Sequence, residues 1–332
     1  MAWHYRVGIQ NENAVPECQR RIICGGVPQD IETGGMEVLP GYTPAYQTEL
    51  GAAYVGDSLE LMKHLANEAV ALVVTSPPFP LRRRKSYGNA DPERYLDWFM
   101  PFAEEIWRVL APDGSFVLEM SGAWNRGQPT RSLLPYRLVL RLADRFCLAQ
   151  ECYWYNPSRL PTPAEWVTVR RNRLKDAVHF VWWFSKTPHP QADNRRVLRP
   201  YSDSMQRLLR DGYQPKLRPS QHAISAHFRR DNGGAIPPNI LILPNTRSRD
   251  PYLDACRQAR LPIHPARFPL ELPQFFIRFL TEPGQLVLDP FAGSNVTGYA
   301  AELLGRRWIS MEINAQYVAG SQFRFHQLRR AA

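Results

Sequence analysis

Cysteine is scarce. The five present, Cys18, Cys24, Cys147, Cys152 and Cys256, are odd in number and form no C-x-x-C pair, so neither a disulfide framework nor a zinc site is implied and they read as reduced packing residues. No metal requirement is expected. No run approaches the ~18 consecutive apolar residues of a membrane span, and the N-terminus lacks the apolar stretch of a signal peptide. A cytoplasmic chain without a membrane partner is the expectation. The G-x-G-x-x-G spacing of dinucleotide-dependent dehydrogenases is absent, and no segment repeats.

Positive charge, by contrast, is plentiful and unevenly placed. The 332 residues carry 41 Lys and Arg against 31 Asp and Glu, a net charge of +10. Between Glu151 and Arg260 there are 19 basic and 9 acidic residues, so this one stretch holds the whole excess and the rest is neutral in sum. A merely solvated face would not concentrate charge in this way. A polyanion partner, whose phosphates Lys and Arg neutralise with release of counterions, accounts for it better.

Residues 1 to about 45 lack periodicity and are broken by Gly25-Gly26, Gly34-Gly35 and Pro40-Gly41, which predicts a loose extension. Then Ala71-Leu-Val-Val-Thr75 reads as a buried strand running into Pro77-Pro78. Asp91 and Pro92 are placed as N-cap and first residue of a helix with Tyr95, Trp98, Phe99, Phe102, Ile106 and Val109 on its apolar face. After the turn Pro112-Asp-Gly114, Ser115-Phe-Val-Leu-Glu119 is a second strand, and Val178 to Phe184 a third. Beyond that, regularity fades until about residue 263. A helix about Leu272 to Leu280, a strand Gln285 to Asp289, a glycine turn leading into a helix ended by Gly305, and a strand Arg307 to Met311 closed by Glu312 complete the pattern. Strands alternating with helices predict an α/β fold with a doubly wound, mostly parallel sheet, whose ligands sit beyond the carboxyl ends of the strands.

Two short segments carry chemistry. In Asp289-Pro-Phe-Ala-Gly-Ser-Asn-Val-Thr-Gly298, Gly293 lets the backbone approach a ligand, and Glu312 ends the next strand where a carboxylate can accept ribose hydroxyls; an ordinary βα loop is the alternative. In Thr75-Ser-Pro-Pro-Phe79, two prolines remove N–H donors and leave carbonyls and the Ser76 hydroxyl free to accept from a ligand, with Phe79 offering an aromatic face. Such acceptors suit an exocyclic amine, whose lone pair must be turned out of conjugation before it can attack a methyl, while the ring suits a base flipped out of a duplex. A rigid proline turn with a core Phe is the alternative there.

Ser-Pro-Pro-Phe preceding Asp-Pro-Phe-Ala-Gly-Ser by some 210 residues resembles the amino-methyltransferases of DNA in their permuted order. Tyr54 to Glu60, Trp182 to Lys186, Asn232 to Asn239, His264 to Pro269 and Arg307 to Glu312 extend the resemblance across about residues 45 to 325. It implies the S-adenosylmethionine-dependent methyltransferase fold, S-adenosyl-L-methionine as cofactor and double-stranded DNA as partner. Carried over residue by residue, it makes Ser76, Pro77, Pro78 and Phe79 catalytic. Thr75, Asp289, Phe291, Ala292, Gly293, Ser294 and Asn295 then belong to the cofactor site, with Glu312 on the ribose, Asp57 on the adenine side, and His264 and Pro265 in a segment closing over the methionine end. A serine in first place implies cytosine N4, where Asp or Asn often accompanies adenine N6. Asn295 stands where many relatives have Gly, and Asn is the residue that best tolerates the left-handed conformation after Gly.

Ring-carbon methylation needs a cysteine nucleophile, typically after proline, and no cysteine here follows one. Glutamine or RNA methyltransferases with a similar turn usually carry Asn first and the cofactor loop upstream. A catalytically silent DNA-binding relative is opposed by the intact Ser76 to Phe79, Gly293 and Glu312. The expected DNA contacts are Arg82, Arg83, Arg84 and Lys85 after the catalytic turn, then Arg170, Arg171, Arg173, Lys175, Arg195, Arg196, Lys216, Arg218, His222, Arg229 and Arg230. The expected organisation is an extension (1–45), a catalytic half (46–190), an inserted basic target-recognition region (191–262) and a cofactor-binding half (263–332). The resemblance further implies a monomer on DNA, a palindromic target such as CAGCTG, and protection from a restriction enzyme that acts on the same site without binding this chain.

Overall fold

The computed structural model describes residues 39–79, 94–212, 230–246 and 250–326. Among the described residues, nine strands form one sheet: β1 (Tyr46–Gln47), β2 (Gly51–Val55), β3 (Val70–Thr75), β4 (Leu110–Ser121), β5 (Cys147–Tyr155), β6 (Val178–Ser185), β7 (Ile240–Ile242), β8 (Leu286–Asp289) and β9 (Arg307–Glu312). Their order is β1-β2-β9-β8-β3-β4-β6-β5-β7. The five central strands β2, β9, β8, β3 and β4 are mutually parallel, and β6 runs antiparallel to both β4 and β5. The α/β, mostly parallel expectation holds.

Strand interiors explain the two-sided core. β3 reads Val-Ala-Leu-Val-Val-Thr and is buried along its whole length, as a strand covered on both faces must be. Alternate residues then serve opposite layers. Val73, Leu118, Trp182, Leu288 and Ile309 pack beneath α1 (Ser58–Met62), α2 (Tyr95–Val109) and α3 (Leu134–Ala143). Leu72, Val74, Val117, Val181, Val287 and Trp308 pack beneath α6 (Glu271–Leu280), α7 (Val296–Leu303) and α8 (Ala315–Ser321). This is the period-2 alternation of a sheet sandwiched between helices. No helix among the described residues is long and apolar enough to cross a membrane.

Several boundaries differ from expectation. The first long helix begins at Tyr95 with Arg94 in the cap position; the expected caps Asp91 and Pro92 lie outside the described residues. Residues 39–45 are not wholly loose, because Leu39 is buried and its N–H bonds the Tyr54 hydroxyl at 3.0 Å. Regularity also continues past Phe184. The stretch contains α4 (Asp203–Asp211), capped by Ser202, and α5 (Pro251–Gln258), capped by Asp250, and β7 pairs with β5 inside the main sheet. Residues 191–262 are thus partly built into the sheet, because the carbonyls and amides at the β5 edge need partners.

One feature of this topology positions the site. From β8 the chain crosses to β9 on one side, and from β3 to β4 on the other, so β8 and β3 are neighbours from which the connections diverge. Ligands of doubly wound sheets bind in the crevice above such a switch point. Here it lies between Thr75 and Asp289.

Candidate active site

A hydrogen bond of 2.6 Å from the Thr75 hydroxyl to Asp289 Oδ1 joins the two chemical segments across the switch point. The same oxygen accepts the Phe291 N–H at 3.1 Å, and Oδ2 accepts the Thr297 hydroxyl at 2.7 Å. Burial pushes the Asp289 carboxyl up to about 6 in spite of these donors. Asp289 borders the cleft, yet both its oxygens are engaged by the protein, so it acts as the bracket that fixes where the two loops leave the sheet.

Gly293 sits at φ +52°, and a Cβ there would come within 3.0 Å of the His264 ring. Its N–H donates to Glu312 Oε2 at 3.0 Å, while Glu312 Oε1 accepts the Asn314 N–H at 2.9 Å. Burial raises the Glu312 carboxyl above its ordinary value. Register brings Asp57 to the same rim: Val55 pairs with Glu312, and two residues later Asp57 caps α1 by accepting the Leu59 N–H on Oδ1. Asp57 is otherwise exposed. Two carboxylates, a glycine backbone free of Cβ, and the apolar surfaces of Phe291 and Ile313 therefore border one end of the cleft.

His264 lines the same end. Its Nδ1 donates to the Ala266 carbonyl at 2.6 Å, its ring meets Tyr317 edge-on at 4.7 Å, and burial pushes its pKa down to about 4, which keeps it neutral. Phe291 packs in turn on Phe102 and Trp98, at centroid distances of 5.0 and 5.9 Å.

The cleft is about 1320 Å³ and continues from Asp57, His264, Pro265, Ala292, Gly293, Ser294 and Glu312 to Ser76, Pro77, Pro78 and Phe79. That volume exceeds the ~300–1,000 Å³ of a pocket for one small ligand. Ser76 is half-buried and its hydroxyl bonds no described residue, whereas Phe79 rests one side on the core under α2. Two residues expected in the cofactor site do not border the cleft. Thr75 is fully buried and points its hydroxyl at Asp289. Asn295 has the anticipated left-handed backbone (φ 53°, ψ 48°), but its side chain is enclosed: Oδ1 accepts the Gly298 N–H and the Ser310 hydroxyl, and Nδ2 donates to the Tyr46 hydroxyl. Both are supports for the loop, because a polar group buried this deeply needs protein partners.

The far end of the cleft holds a group that no local motif announces. Glu119 of β4 and His179 of β6 are both buried, with Glu119 Oε1 2.6 Å from His179 Nδ1. Arg159 Nη1 lies 3.3 Å from the other ring nitrogen, and the Trp154 ring packs on His179 at 4.4 Å. Only the sheet order unites residues 119, 159 and 179.

The expected DNA contacts are dispersed. Arg82 to Lys85, Lys216, Arg218, His222 and Arg229 lie outside the described residues. Arg170 pairs with Glu165 and stacks on Trp166, Arg173 donates to the Pro129 and Asn172 carbonyls, and Lys175 reaches the Pro157 and Arg159 carbonyls. Arg171 and Arg230 are exposed. Arg195 pairs with Asp193, and Arg196 ties Asp193 to Glu282 and Thr281 at the end of α6, a structural clamp rather than a free cation.

Residues 70–323 match the family of N6/N4 methyltransferases described as DNA methylase. The chain belongs to that family. It is 51% identical over 290 residues to the type II methyltransferase M.PvuII of Proteus hauseri, covering 86% of each chain. It is 26% identical over 283 residues to M.BamHI of Bacillus amyloliquefaciens, covering 81% of this chain and 56% of that one. A solved structure of a PvuII DNA methyltransferase, titled cytosine-N4-specific, superposes with a TM-score of 0.71 at 45% identity, over 86% of this chain and 89% of the other. The resemblance carried by Ser76 to Phe79 and Asp289 to Ser294 is borne out, and so is the methyltransferase fold. The chain is a DNA methylase of permuted order, with the Ser76 to Phe79 turn after β3 preceding the Asp289 to Ser294 segment at the end of β8.

Proposed function

We propose that this DNA methylase transfers a methyl group from S-adenosylmethionine to N4 of a cytosine flipped out of double-stranded DNA. The observation that carries the reading is the placement of Ser76 to Phe79 beside the Gly293–Glu312 cradle at one switch point, within one cleft. Similarity to a protein titled cytosine-N4-specific supports the choice of base and atom.

The residues present fit the cofactor. Glu312 and Asp57 offer carboxylate oxygens to ribose hydroxyls and the adenine side, Gly293 lets the chain approach, and Phe291 and Ile313 provide apolar faces. The aromatic cluster of Phe291, Phe102 and Trp98 suits a cationic centre nearby. When bound, S-adenosylmethionine supplies an electrophilic methyl on a sulfonium sulfur. The chain's part is to present the amine. The Ser76 hydroxyl and the Pro77 carbonyl accept the two N4–H bonds, which draws the nitrogen lone pair out of conjugation and toward the methyl, while Phe79 stacks on the flipped ring. His264, held neutral, closes the cleft against water.

The basic stretch from 151 to 260 and the Arg82 to Lys85 run grip the DNA backbone, with residues 191–262 contributing to target recognition. The target is a palindrome, CAGCTG with its inner cytosine methylated, and methylation protects cytoplasmic bacterial DNA from a restriction enzyme acting on the same site. The chain acts as a monomer on DNA. Expression in a host that lacks this modification, followed by sequencing that distinguishes 4-methylcytosine, tests the reading. New 4-methylcytosine at CAGCTG is expected; new N6-methyladenine, or no new mark, would overturn it.

A further inference from the structure

The Glu119–His179–Arg159 array has a polarity that points into the cleft. With Nδ1–H donated to Glu119, His179 presents a lone pair on Nε2, and Arg159 Nη1 donates to it at 3.3 Å. The carboxylate and ring are buried and cannot move far, so they fix the plane of a guanidinium that is itself half-buried and lines the cleft. Among the described residues Arg159 has no carboxylate partner, and its remaining N–H donors have no acceptor. A half-buried cation held by a buried pair, yet left without a counter-charge, implies that a ligand completes it.

Its position identifies the ligand. Thr75 pairs with Leu118 in the β3–β4 register, so Ser76 and Glu119 stand one residue beyond that pair, on adjacent strands. Ser121 of β4 pairs with His179 of β6 at the same end of the sheet. The Ser76 and His179 columns are thus two strand intervals apart, about 10 Å, with His179 a further two residues, about 7 Å, along the strand direction. Ser76, His179 and Arg159 all line the one cleft, so a base held at Ser76 shares that space with the guanidinium.

We propose that Arg159 reads the Watson–Crick edge of the flipped base, donating to O2 and N3 of cytosine while Ser76 holds N4. His179 and Glu119 are positioning residues that aim the guanidinium. The inference rests on the base-flipping reading above and adds its selectivity. Adenine in the same place offers N1 but a C–H where cytosine has O2, leaving one donor of the half-buried guanidinium unpaired.

The test compares duplexes carrying cytosine or 3-deazacytosine, which lacks N3, at the target, with wild-type enzyme, Arg159→Met and the milder His179→Asn. Retained S-adenosylmethionine binding shows that each variant is folded. Wild type should lose about tenfold to a hundredfold in kcat/KM on 3-deazacytosine, the worth of one charged hydrogen bond. Arg159→Met should lose as much on cytosine and then almost nothing further on the analogue, with His179→Asn between the two. If both variants stay as sensitive to N3 as wild type, the assignment is wrong. If instead Arg159→Met loses equally on both bases and its salt dependence becomes shallower, Arg159 contacts a phosphate and the assignment is likewise overturned. Failure of wild type to methylate ordinary cytosine would sink the underlying reading instead, and the two failures are separately visible.

Discussion

Replacing Asp289 with asparagine isolates the electrostatic cost of the bracket between β3 and β8. The carboxyl is pushed up to about 6 from an ordinary 3.8, chiefly by burial, with the Thr75, Thr297 and Phe291 hydrogen bonds opposing. A pKa raised in the fold means that the neutral form is favoured there. The stability it contributes is full below about 3.8 and is lost as pH rises through 6. A shift of about two units is worth about 3 kcal/mol between the acid and alkaline limits, and about 1.5 kcal/mol of that falls between pH 5 and 8. His264 works in the opposite sense: pushed down to about 4 from 6.5, it contributes stability above 6.5 that is lost as pH falls toward 4. The wild-type curve mixes the two, but the difference between wild type and Asp289→Asn cancels His264. Relief of Glu312, which the Asp289 charge also raises, adds in the same direction. Asparagine can keep the Thr75 and Phe291 bonds on its oxygen, while the Thr297 hydroxyl turns its proton to the Val74 carbonyl, already 3.4 Å away, and accepts from the new amide. Urea unfolding at pH 5, 6, 7 and 8 should show the variant gaining about 1.5 kcal/mol on wild type across that range. A difference that stays flat with pH would refute the claim that this carboxylate is ionised at a cost.

Ser76→Ala should cut turnover by about 100-fold or more while leaving S-adenosylmethionine affinity unchanged, as kinetics beside equilibrium binding would show; equal losses in both would remove its assigned role. Gly293→Ala forces a side chain into the left-handed region, about 1–2 kcal/mol, and against the His264 ring; cofactor titration should weaken roughly tenfold or more. Phe79→Ala should let the flipped base return to the helix, read as lower emission from a fluorescent base analogue at the target position, and unchanged emission would count against stacking.

Much of this architecture is legible because its strands are extreme. Val70–Thr75 and Leu286–Asp289 are buried on both faces and read as unbroken apolar runs, and the left-handed Asn295 follows from its residue type. β5 is the opposite case: Cys147–Tyr155 is mostly exposed over its first five residues, so neither a run nor a clean alternation marks it. α4 buries no residue, and its apolar stripe is only the three part-exposed side chains Met205, Leu208 and Leu209, too short to stand out in a polar stretch. The two motifs that carry the family resemblance, Ser76 to Phe79 and Asp289 to Ser294, are legible because each is contiguous. Glu119, Arg159 and His179 are not, since their meeting depends on β6 lying between β4 and β5, which no local pattern encodes. Thr75 and Asn295 stand beside the two segments, at the end of β3 and ahead of α7, but their side chains turn into the protein, a direction decided by their neighbours' hydrogen-bonding needs.

The atom that receives the methyl group decides the proposed function. Purified protein, isotopically labelled S-adenosylmethionine and duplex DNA containing CAGCTG can be incubated, digested to nucleosides and resolved by mass. The label should appear in N4-methyldeoxycytidine and should vanish with Ser76→Ala. Label in N6-methyldeoxyadenosine or 5-methyldeoxycytidine, or in no nucleoside at all, would contradict it.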